Sequence, residues 1–414
     1  MPSILILGGG AAGLMAAAAA AENGARVTLL ERNEKLGKKI YITGKGRCNC
    51  TNLCGPEEFR RNVVRNPRFL YSALEALPPE ALLARLLDWG CPTVVERGNR
   101  AFPASQKASD VTRAFERRLG RLGVAVRLNC RAAAIAEAGG RVTGVRLETG
   151  ETLSADAVIV CTGGVSYPAT GSTGDGYALL AALGHTIVPP KPALIPLTSR
   201  EEWVRALQGL SLKNVTLTLA CGGKRLYTEL GEMLFTHFGI SGPLVLSASS
   251  YLAGRNPADC ALTLDLKPGL TEKQLTERVL RDVGAAGRKR AQTILRGLFP
   301  ERLADTMARL CGIDPFKPAN ELRREERETL VRLTKALPLP VDGTEPIAAA
   351  VVTAGGADVR QFNPATLESK LVSGLYAAGE VLDVDALTGG FNLHIAFATG
   401  YCAGRAAAAP PRGT

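Results

Sequence analysis

The stretch SILILGGGAAG, residues 3–13, decides the fold of this chain. Its largely apolar start predicts a short buried strand, and a glycine-rich turn follows directly. An alanine-rich helix then runs to about Asn23, and a second buried strand, ARVTLLER at residues 25–32, ends on the acid Glu31. Strand, G-x-G-x-x-G turn, helix, strand and acid in this order indicate a dinucleotide-binding unit. The alternative is a glycine-rich turn in an ordinary α/β sheet.

Each position of the turn has a physical role in such a site. Gly8 permits the tight turn, Gly10 lets the backbone approach a pyrophosphate, and Gly13 lets the helix lie close to the strand. Glu31 can accept hydrogen bonds from both ribose hydroxyls, which argues against the 2′-phosphate of NADP and leaves FAD or NAD. The predicted contacts at this end of the cofactor also include Ala11, Ala12 and Arg32.

Length and composition describe an ordinary globular protein. With 414 residues, of which 46% are hydrophobic and 21% are charged, the chain can form two or three domains. The apolar run at residues 4–21 is mostly Gly and Ala and has no basic leader, so we predict no membrane span and no targeting segment. Ten scattered cysteines favour reduced thiols and a cytoplasmic protein. The net charge of +11 favours anionic partners without selecting one.

A second glycine-rich turn, near the C-terminus, distinguishes FAD from NAD. The sequence after residue 370 predicts a strand to Ala378, a glycine-acid turn, a Gly-Gly turn and a helix from about Asn392. Two helix N-termini far apart in the chain suit a long, two-ended cofactor, which favours FAD. The predicted contacts are Gly379, Glu380 and Asp383 with the ribityl chain and pyrophosphate, and Gly389, Gly390, Asn392 and Leu393 with the isoalloxazine ring.

A third buried strand lies between these two segments. The sequence ADAVIVCTGG, residues 155–164, is apolar and ends in Thr-Gly-Gly. It resembles the strand that closes the FAD domain beside the adenine half in glutathione-reductase-type flavoproteins. Thr162, Gly163 and Gly164 are therefore predicted to contact the cofactor.

Four motifs together carry a more specific resemblance. They are GKKIYITGKGRCNCTN at 37–52, TGGVSYPATGSTGDGYALLAALGH at 162–185, FTHFGISGP at 235–243 and TGGFNLHIAFATGYCAG at 388–404. With these motifs the chain resembles the BaiN/RdsA-type family of NAD(P)H/FAD-dependent oxidoreductases, which includes enzymes described as aminoacetone oxidases. The resemblance implies an α/β fold with a discontinuous Rossmann-like FAD-binding domain of the glutathione-reductase type, interrupted by a β-rich, barrel-like domain and a helical domain.

The residue pattern places the boundaries of these domains. Residues 1–190 form the first half of the FAD-binding domain, and residues 341–414 form the second half. Short alternating strands predict the β-rich domain at residues 191–270, and charge-dense helical periodicity predicts the basic helical domain at residues 271–340.

The glycine-rich and basic segment at residues 37–52 is predicted to form the rim of the cofactor site. It follows the ribose-binding acid by about one cofactor length, and its cations suit phosphates and an electron-rich reduced flavin. Lys38 and Lys45 are expected to point outward. The predicted cofactor contacts in this segment are Lys39, Thr43, Gly44, Gly46, Arg47, Cys48 and Asn49.

Few side chains qualify as metal ligands or proton donors. The C-x-C-x-x-x-C spacing of Cys48, Cys50 and Cys54 lacks a fourth soft ligand nearby, so we predict no metal. Cys48 is a candidate acid or redox thiol, and packing in a tight loop is its alternative role. The resemblance places His237 opposite the flavin, where an imidazole could deliver a proton. His394 could tune the flavin or bond to the backbone.

The predicted reaction is hydride transfer from flavin N5 to an activated double bond, with NAD(P)H as the transient reductant. Cys48, Tyr167 or His237 would supply the proton. The family resemblance offers three acceptors: uridine in ribosomal RNA, giving dihydrouridine; a steroid-like enone; or, in the reverse half-reaction, an amine oxidised with oxygen.

Charge favours the RNA acceptor among these three. The segment at residues 271–340 holds fifteen Lys or Arg against ten Asp or Glu, a net charge of +5. A charge run is more often a solvated helix face, so ribosomal RNA contact through this segment also rests on the resemblance. A small-molecule substrate stays open, as does an FAD-containing RNA-binding or assembly protein without catalysis. The sequence shows no amphipathic anchor, and no membrane partner is expected.

Overall fold

The computed structural model describes residues 1–409 of the chain, without the side chain of Ala258. The described helices are α1 Ala11–Glu22, α2 Lys38–Ile42, α3 Pro56–Arg61, α4 Tyr71–Ala76, α5 Pro79–Asp88, α6 Ala108–Arg121, α7 Asp175–Ala182, α8 Glu202–Ala206, α9 Pro243–Leu252, α10 Glu272–Ala286, α11 Gln292–Leu298, α12 Glu301–Cys311, α13 Arg324–Lys335 and α14 Phe391–Ala408.

The described strands follow the same chain order. They are β1 Ser3–Leu7, β2 Arg26–Leu30, β3 Thr51–Asn52, β4 Thr93–Glu96, β5 Arg100–Pro103, β6 Ala125–Arg127, β7 Ala132–Ala138, β8 Arg141–Leu147, β9 Thr152–Ser154, β10 Ala157–Val160, β11 Ile187–Ala193, β12 Leu197–Thr198, β13 Ser211–Cys221, β14 Lys224–Phe235, β15 Gly239–Ser241, β16 Cys260–Asp265, β17 Leu337–Pro338, β18 Gly343–Thr344, β19 Val352–Ala357 and β20 Leu375–Ala377.

The chain divides into two compact units. The first unit combines Met1–Ala193 with the chain from Pro346 onward, and the second is Leu194–Glu345. The predicted helical segment at residues 271–340 lies in the second unit, and the predicted β-rich segment at residues 191–270 lies there from Leu194 onward. The assignment of these segments to separate domains, and of residues 1–190 and 341–414 to one FAD-binding domain, stays a prediction.

The first unit is built on a parallel five-stranded sheet in the order β20-β10-β1-β2-β6. Its central strand β1 pairs with β2 on one side and with β10 on the other, with Leu7 opposite both Leu30 and Val160. Parallel strands covered on both faces require continuous apolar sequence, which SILIL and AVIV supply. The predicted Rossmann-like α/β class is confirmed by this sheet.

Helices α1 and α14 pack against each other without room for side chains between them. A Cβ atom at Gly400 would lie 2.2 Å from the carbonyl oxygen of Ala12, and one at Gly404 would lie 2.3 Å from that of Ala16. The alanine and glycine composition of both helices therefore lets their backbones meet. This packing sets the second half of α14 directly against the N-terminal half of α1.

Replacement of Gly404 by alanine tests this contact. We expect Gly404→Ala to lower the free energy of unfolding by about 1–3 kcal/mol, because the new methyl group must displace the α1 backbone. Gly284, inside α10, has no heavy atom within 4 Å of its hypothetical Cβ. Gly284→Ala is the matched control and should stabilise by about 0.5–1 kcal/mol. Urea unfolding measures both, and equal effects would contradict the close packing.

The second unit contains a seven-stranded antiparallel sheet. Its order is β17-β16-β13-β14-β15-β12-β18, and β13 and β14 form a long hairpin around Gly222 and Gly223. Helices α10 to α13 follow this hairpin in the chain. Thr271 opens α10 with a reciprocal capping box, in which its hydroxyl accepts from the Gln274 N–H while the Gln274 side chain accepts from the Thr271 N–H.

One pair of cysteines corrects the prediction of reduced thiols throughout. Cys221 and Cys260 lie directly opposite each other on β13 and β16 and form a disulfide. Facing positions on adjacent antiparallel strands bring the two Cβ atoms close enough for the sulfurs to bond. The two cysteines are 39 residues apart in sequence, so their spacing does not reveal this proximity. The remaining eight cysteines are free and buried.

No helix among residues 1–409 combines the length and the apolar character needed to cross a membrane.

Candidate functional site

The glycine turn between β1 and α1 leaves one face of the backbone open. Gly8 has a φ of +104°, and a Cβ at Gly13 would lie 1.9 Å from the Gly8 carbonyl oxygen. By contrast, a Cβ at Gly10 would meet nothing within 4 Å. Gly10 is also the N-cap of α1, which has no side-chain cap and no acid in its first turn. The helix therefore presents free N–H groups beside an open approach, as an anionic pyrophosphate requires.

Glu31 lies at the end of β2 and holds this turn in place. Its Oε2 accepts a hydrogen bond of 2.7 Å from the Gly9 N–H, and its Oε1 accepts bonds from the N–H and the side-chain amide of Asn33 at 2.8 and 2.6 Å. Oε1 thus uses both of its lone pairs, whereas Oε2 has one further lone pair available. A ribose hydroxyl could therefore bind to the carboxylate only alongside these N–H groups.

Helix α14 resembles α1, because among the described helices of this unit with eight or more residues only these two start with neither a side-chain cap nor an acid in the first turn. Its N-cap, Gly390, has a φ of +101°, and a Cβ there would lie 2.6 Å from the Thr51 carbonyl oxygen and 2.8 Å from Asn49 Oδ1. The Asn392 side chain is used within the turn, because it donates to the Ala386 carbonyl and accepts from the Ala386 N–H. Of the described polar groups at this helix start, the backbone N–H groups remain for a ligand. Gly389 precedes the N-cap, and Leu393 lies in the first turn of the helix.

Lys39 and Glu380 form an ion pair across the first unit. Lys39 Nζ lies 3.0 Å from Glu380 Oε2 and also donates to Ser166 Oγ at 2.8 Å. Glu380 Oε1 accepts from the Thr353 N–H at 2.8 Å and from the Ser166 hydroxyl at 2.9 Å. Burial by itself would raise the pKa of Glu380, but Lys39 and these hydrogen bonds outweigh burial and lower it. Glu380 is therefore held as a carboxylate.

Several buried polar atoms have no partner among the described residues. Three belong to predicted cofactor contacts: Asn49 Oδ1, Thr162 Oγ1 and Asp383 Oδ1. Buried polar groups in native proteins are almost always satisfied, so a missing ligand or water is the usual explanation for unpaired atoms. Together with the open face at Gly10 and the two free helix starts, these atoms fit a long polar cofactor such as FAD.

Two of the predicted cofactor-binding side chains are engaged elsewhere. The Arg47 guanidinium bonds to Glu96 Oε1 and Gln106 Oε1, both at 2.8 Å, and lies 4.1 Å from the centre of the Phe102 ring. Arg32 pairs with Asp175, at the start of α7. Neither cation is therefore free to meet a phosphate in this arrangement. The Thr43 hydroxyl, in turn, donates to the carbonyl oxygen of Ile40.

The backbone of the predicted rim segment has an unusual conformation. Gly44, Lys45, Gly46 and Cys48 all have positive φ angles, between 56° and 86°. Cys48 is fully buried, and its sulfur lies 3.7 Å from that of Cys50. The hydrogen bond with Cys48, together with burial, raises the pKa of Cys50. This thiol pair is therefore packed away from solvent.

The other two candidate proton donors have accessible side chains. Tyr167 is 36% exposed, has a φ of +49°, and its N–H donates to the Ala348 carbonyl oxygen. His237 is exposed in the second unit, where it follows β14 and its ring packs edge-on against Phe238. Of the three candidates, only Cys48 is closed to a substrate by its own burial.

His394 is buried in the first turn of α14. Its Nε2 donates to the Leu77 carbonyl oxygen at 3.0 Å, which leaves Nδ1 to accept from the Thr51 hydroxyl at 3.0 Å. Burial lowers its pKa from the ordinary 6.5 to about 4, against a smaller effect of the Leu77 bond. The imidazole is therefore neutral at physiological pH and joins the α14 start to β3.

This neutral histidine predicts a loss of stability in mild acid. Between about pH 6.5 and pH 4, His394 is protonated in the unfolded chain but neutral in the folded protein. The free energy of unfolding therefore falls by up to about 3 kcal/mol as the pH falls through this range. A His394→Gln variant keeps both hydrogen bonds without titrating, and its stability should fall less over the same range. Urea unfolding at several pH values measures the difference. Parallel pH profiles would contradict this role.

Sequence reasoning missed several residues that complete the site. Ser166 bridges Lys39 and Glu380, the Thr353 N–H donates to Glu380, and Asn33 completes the bonding of Glu31. Tyr177 OH and Asp385 Oδ2 are further buried atoms without a partner among the described residues. Thr353 lies in the glycine-rich stretch VVTAGGADV, and Ser166 and Tyr177 lie in the motif at residues 162–185, but no pattern gave these side chains a role. Their roles depend on contacts between distant segments.

Asp385 forms a second long-range ion pair in this unit. Its Oδ1 lies 2.7 Å from Arg65 Nη1, and the side chain is fully buried. Burial raises the pKa of Asp385 to about 6 despite the neighbouring arginine. This pair joins the segment before α4 to the turn before α14.

Comparison with known proteins places the chain among described relatives. A family profile described as the HI0933-like protein Rossmann domain matches residues 2–406. A 3-dehydro-bile acid delta(4,6)-reductase of Clostridium scindens is 35% identical over 94% of this chain and 95% of its own length. A ribosomal RNA dihydrouridine synthase of Haemophilus influenzae is 32% identical over 96% of both chains.

Solved structures show the same fold at lower identity. The 3-ketosteroid-delta4-(5alpha)-dehydrogenase from Rhodococcus jostii RHA1 has a TM-score of 0.51 at 16% identity, over 98% of this chain and 96% of that one. The 3-ketosteroid delta1-dehydrogenase from Sterolibacterium denitrificans has a TM-score of 0.54 at 14% identity, over 99% of this chain and 100% of that one. At this identity the likeness describes architecture alone.

Proposed function

The chain belongs to the HI0933-like Rossmann family and is an FAD-dependent oxidoreductase, and from this premise we propose that it reduces a C=C bond conjugated to a carbonyl group. The names of both curated relatives describe this chemistry, since uridine and a bile-acid enone each carry such a bond. NAD(P)H is the proposed reductant. When bound, reduced FAD would supply a hydride from N5 to one carbon of the C=C bond, and an acid would supply a proton to the other carbon.

The residues of the first unit support the binding part of this proposal. The open backbone at Gly10 and the uncapped start of α1 would hold the pyrophosphate. Glu380, kept ionised by Lys39, would accept from hydroxyl groups of a ribityl chain. The start of α14 at Gly390 would meet the isoalloxazine ring. The single observation that carries the proposal is that α1 and α14, within one unit, both start on a glycine with neither a side-chain cap nor an acid in the first turn.

The accessibility of the candidate acids narrows the choice of proton donor. Tyr167 and His237 have side chains that a substrate could reach, whereas Cys48 is fully buried against Cys50. We propose that Tyr167 or His237 delivers the proton and that Cys48 helps to shape the rim segment. Tyr167→Phe and His237→Gln, each assayed for turnover and for flavin reduction separately, assign the role.

Uridine in ribosomal RNA is the proposed acceptor. The net charge of +11 and the surplus of five cations at residues 271–340 favour a polyanionic substrate. The test is dihydrouridine in ribosomal RNA, measured by mass spectrometry in a strain with the gene deleted and in one with it restored. We expect dihydrouridine to be lost on deletion and to return on restoration; an unchanged level excludes this acceptor.

A steroid-like enone is the second candidate acceptor, because the bile-acid reductase is 35% identical to this chain. Both acceptors can be compared in one experiment. The purified yellow protein is reduced with NADH or NADPH without oxygen, and then re-oxidised with ribosomal RNA, with an enone, or with oxygen alone. Re-oxidation restores the flavin absorbance, and the acceptor that restores it fastest identifies the class of substrate. A flavin that neither cofactor reduces would instead favour an RNA-binding or assembly protein.

A further inference from the structure

Two loops of the second unit join to form a small exposed surface. The loop at residues 287–291, between α10 and α11, lies against the loop at residues 314–320, between α12 and α13. The Ala319 N–H donates to the Lys289 carbonyl at 2.7 Å, and the Ala291 N–H donates to the Lys317 carbonyl at 2.8 Å. These backbone bonds hold side chains that are far apart in sequence at fixed positions.

The first of these loops carries three consecutive exposed cations. Arg288, Lys289 and Arg290 are all exposed, and within residues 1–409 none of the three forms an ion pair. Other surface arginines of the same unit are neutralised, as in the pairs Arg296–Glu301 and Arg324–Glu328. The charge of this loop is therefore available to a partner.

The second loop adds an exposed aromatic ring beside one of these cations, Arg290. Phe316 is 64% exposed, and the Arg290 guanidinium carbon lies 5.2 Å from its ring centre. Asp314 fixes the loop by accepting from the Phe316 N–H, and Lys317 is paired with Glu326. An aromatic ring that is exposed to solvent beside Arg290, on a loop paired with the one that carries Arg288 and Lys289, suits a ligand with both a flat face and negative charge.

Single-stranded nucleic acid has this combination of features. Proteins that bind it place cations along the phosphates and an aromatic ring under a base, and an arginine can stack as well. We propose that Phe316 with Arg288, Lys289 and Arg290, here called the Phe316 platform, binds a single-stranded segment of RNA. One base stacks on the Phe316 ring while the cations contact neighbouring phosphates. The choice of RNA rests on the proposed function, whereas the surface itself does not.

Binding of labelled RNA to the full-length protein tests the platform. The probe is a fluorescein-labelled oligouridine of about 12 nucleotides, a length within the range of single-stranded sites. Phe316→Leu should weaken binding about tenfold, because a leucine side chain cannot stack with a base, and Phe316→Trp should restore it. The triple variant Arg288→Ala/Lys289→Ala/Arg290→Ala should reduce the slope of log Kd against log salt by about 2.

A matched variant separates the platform from general surface charge. Arg278, Arg296 and Arg324 each pair with a nearby acid, so their replacement by alanine removes the same charge from the same unit. This control should keep the affinity within about twofold and should not change the salt slope by 2. Thermal unfolding checks that each surface variant folds. Equal losses in both triple variants, or equal binding by Phe316→Leu and Phe316→Trp, would overturn the platform.

The outcomes also distinguish the platform from the proposed function. If the platform variants lose RNA binding but the wild-type protein reduces no uridine, the platform stands and the proposed acceptor fails. If uridine reduction proceeds with an unchanged KM in the Phe316→Leu variant, the platform fails and the acceptor stands. Binding of vesicles containing phosphatidylserine, with the same residue dependence and without RNA binding, would assign the surface to a membrane and overturn the proposal.

Discussion

A Gly10→Val variant is expected to fold normally and to lose FAD. Its Cβ would meet no atom within 4 Å in the chain, and Gly10 has a φ of −81°, which any residue can adopt. The valine side chain would instead occupy the space through which a pyrophosphate reaches the α1 start. We expect the affinity for FAD to fall by at least about tenfold, since even modest overpacking costs about 1–3 kcal/mol.

The control for this variant is a second glycine of the same kind. Gly55 is the N-cap of α3, has a φ of −62°, and also has no neighbour within 4 Å of a hypothetical Cβ. Gly55→Val should therefore keep its FAD. The ratio of flavin to protein absorbance and titration calorimetry with the flavin-free protein measure binding, and circular dichroism measures folding. Normal FAD affinity in Gly10→Val would rule out the cofactor position proposed here.

A Lys39→Met variant is expected to lose about 3 kcal/mol of folding stability. Glu380 and Lys39 are each only about one-fifth exposed, with side-chain exposures of 18% and 23%. Removing the ammonium group leaves a mostly buried carboxylate without its counter-ion, which is the costly way to break such a pair. Glu380→Gln in the same background removes that charge, so the double variant should be more stable than Lys39→Met alone.

The neighbouring lysine provides the control for this loss. Lys38 pairs with Glu34 at 2.8 Å, but the Glu34 side chain is 62% exposed, so Lys38→Met should cost at most about 1 kcal/mol. Urea unfolding of the wild-type protein and the three variants, with flavin content recorded, gives the comparison. If Lys38→Met and Lys39→Met are equally stable, the pair with Glu380 does not support the fold.

The same pair predicts how stability changes in acid. The pKa of Glu380 is lowered in the folded protein, so its contribution is present above its ordinary value of 4.5 and is lost as the pH falls through the folded pKa. In Lys39→Met, burial is no longer opposed by the ammonium group, and the carboxyl group should become protonated at a higher pH. The Lys39→Met variant should therefore recover part of its lost stability on mild acidification.

The cofactor-binding architecture could be read from the sequence because its signals are local. Gly8, Gly10 and Gly13 are required by backbone conformation and close approach within one turn, and SILIL and AVIV are apolar because parallel strands are covered on both faces. The first and last segments of the FAD-binding unit were identified for the same reason. The family assignment followed from motifs of this kind and is confirmed by the profile match to residues 2–406.

The roles of individual side chains depended on contacts between segments that are distant in sequence. Arg47 looked like a phosphate ligand, but its guanidinium is taken by Glu96 and Gln106. The Cys221–Cys260 disulfide follows from strand register, which no cysteine spacing encodes. Phe316 and Arg290 belong to different loops, and only the pairing of these loops places the ring beside the guanidinium group.

The sequence by itself therefore determined the Rossmann-like α/β class and predicted a two-ended dinucleotide site, since tight turns, helix starts and buried strands are set by residues within a few positions of each other. Only the tertiary structure decided which charges in that site are free. Lys39, Ser166, Thr353 and Glu380 come from four separate segments. A side chain's charge becomes available or is neutralised according to the partner that folding brings within hydrogen-bonding distance, and that partner lies outside any local pattern.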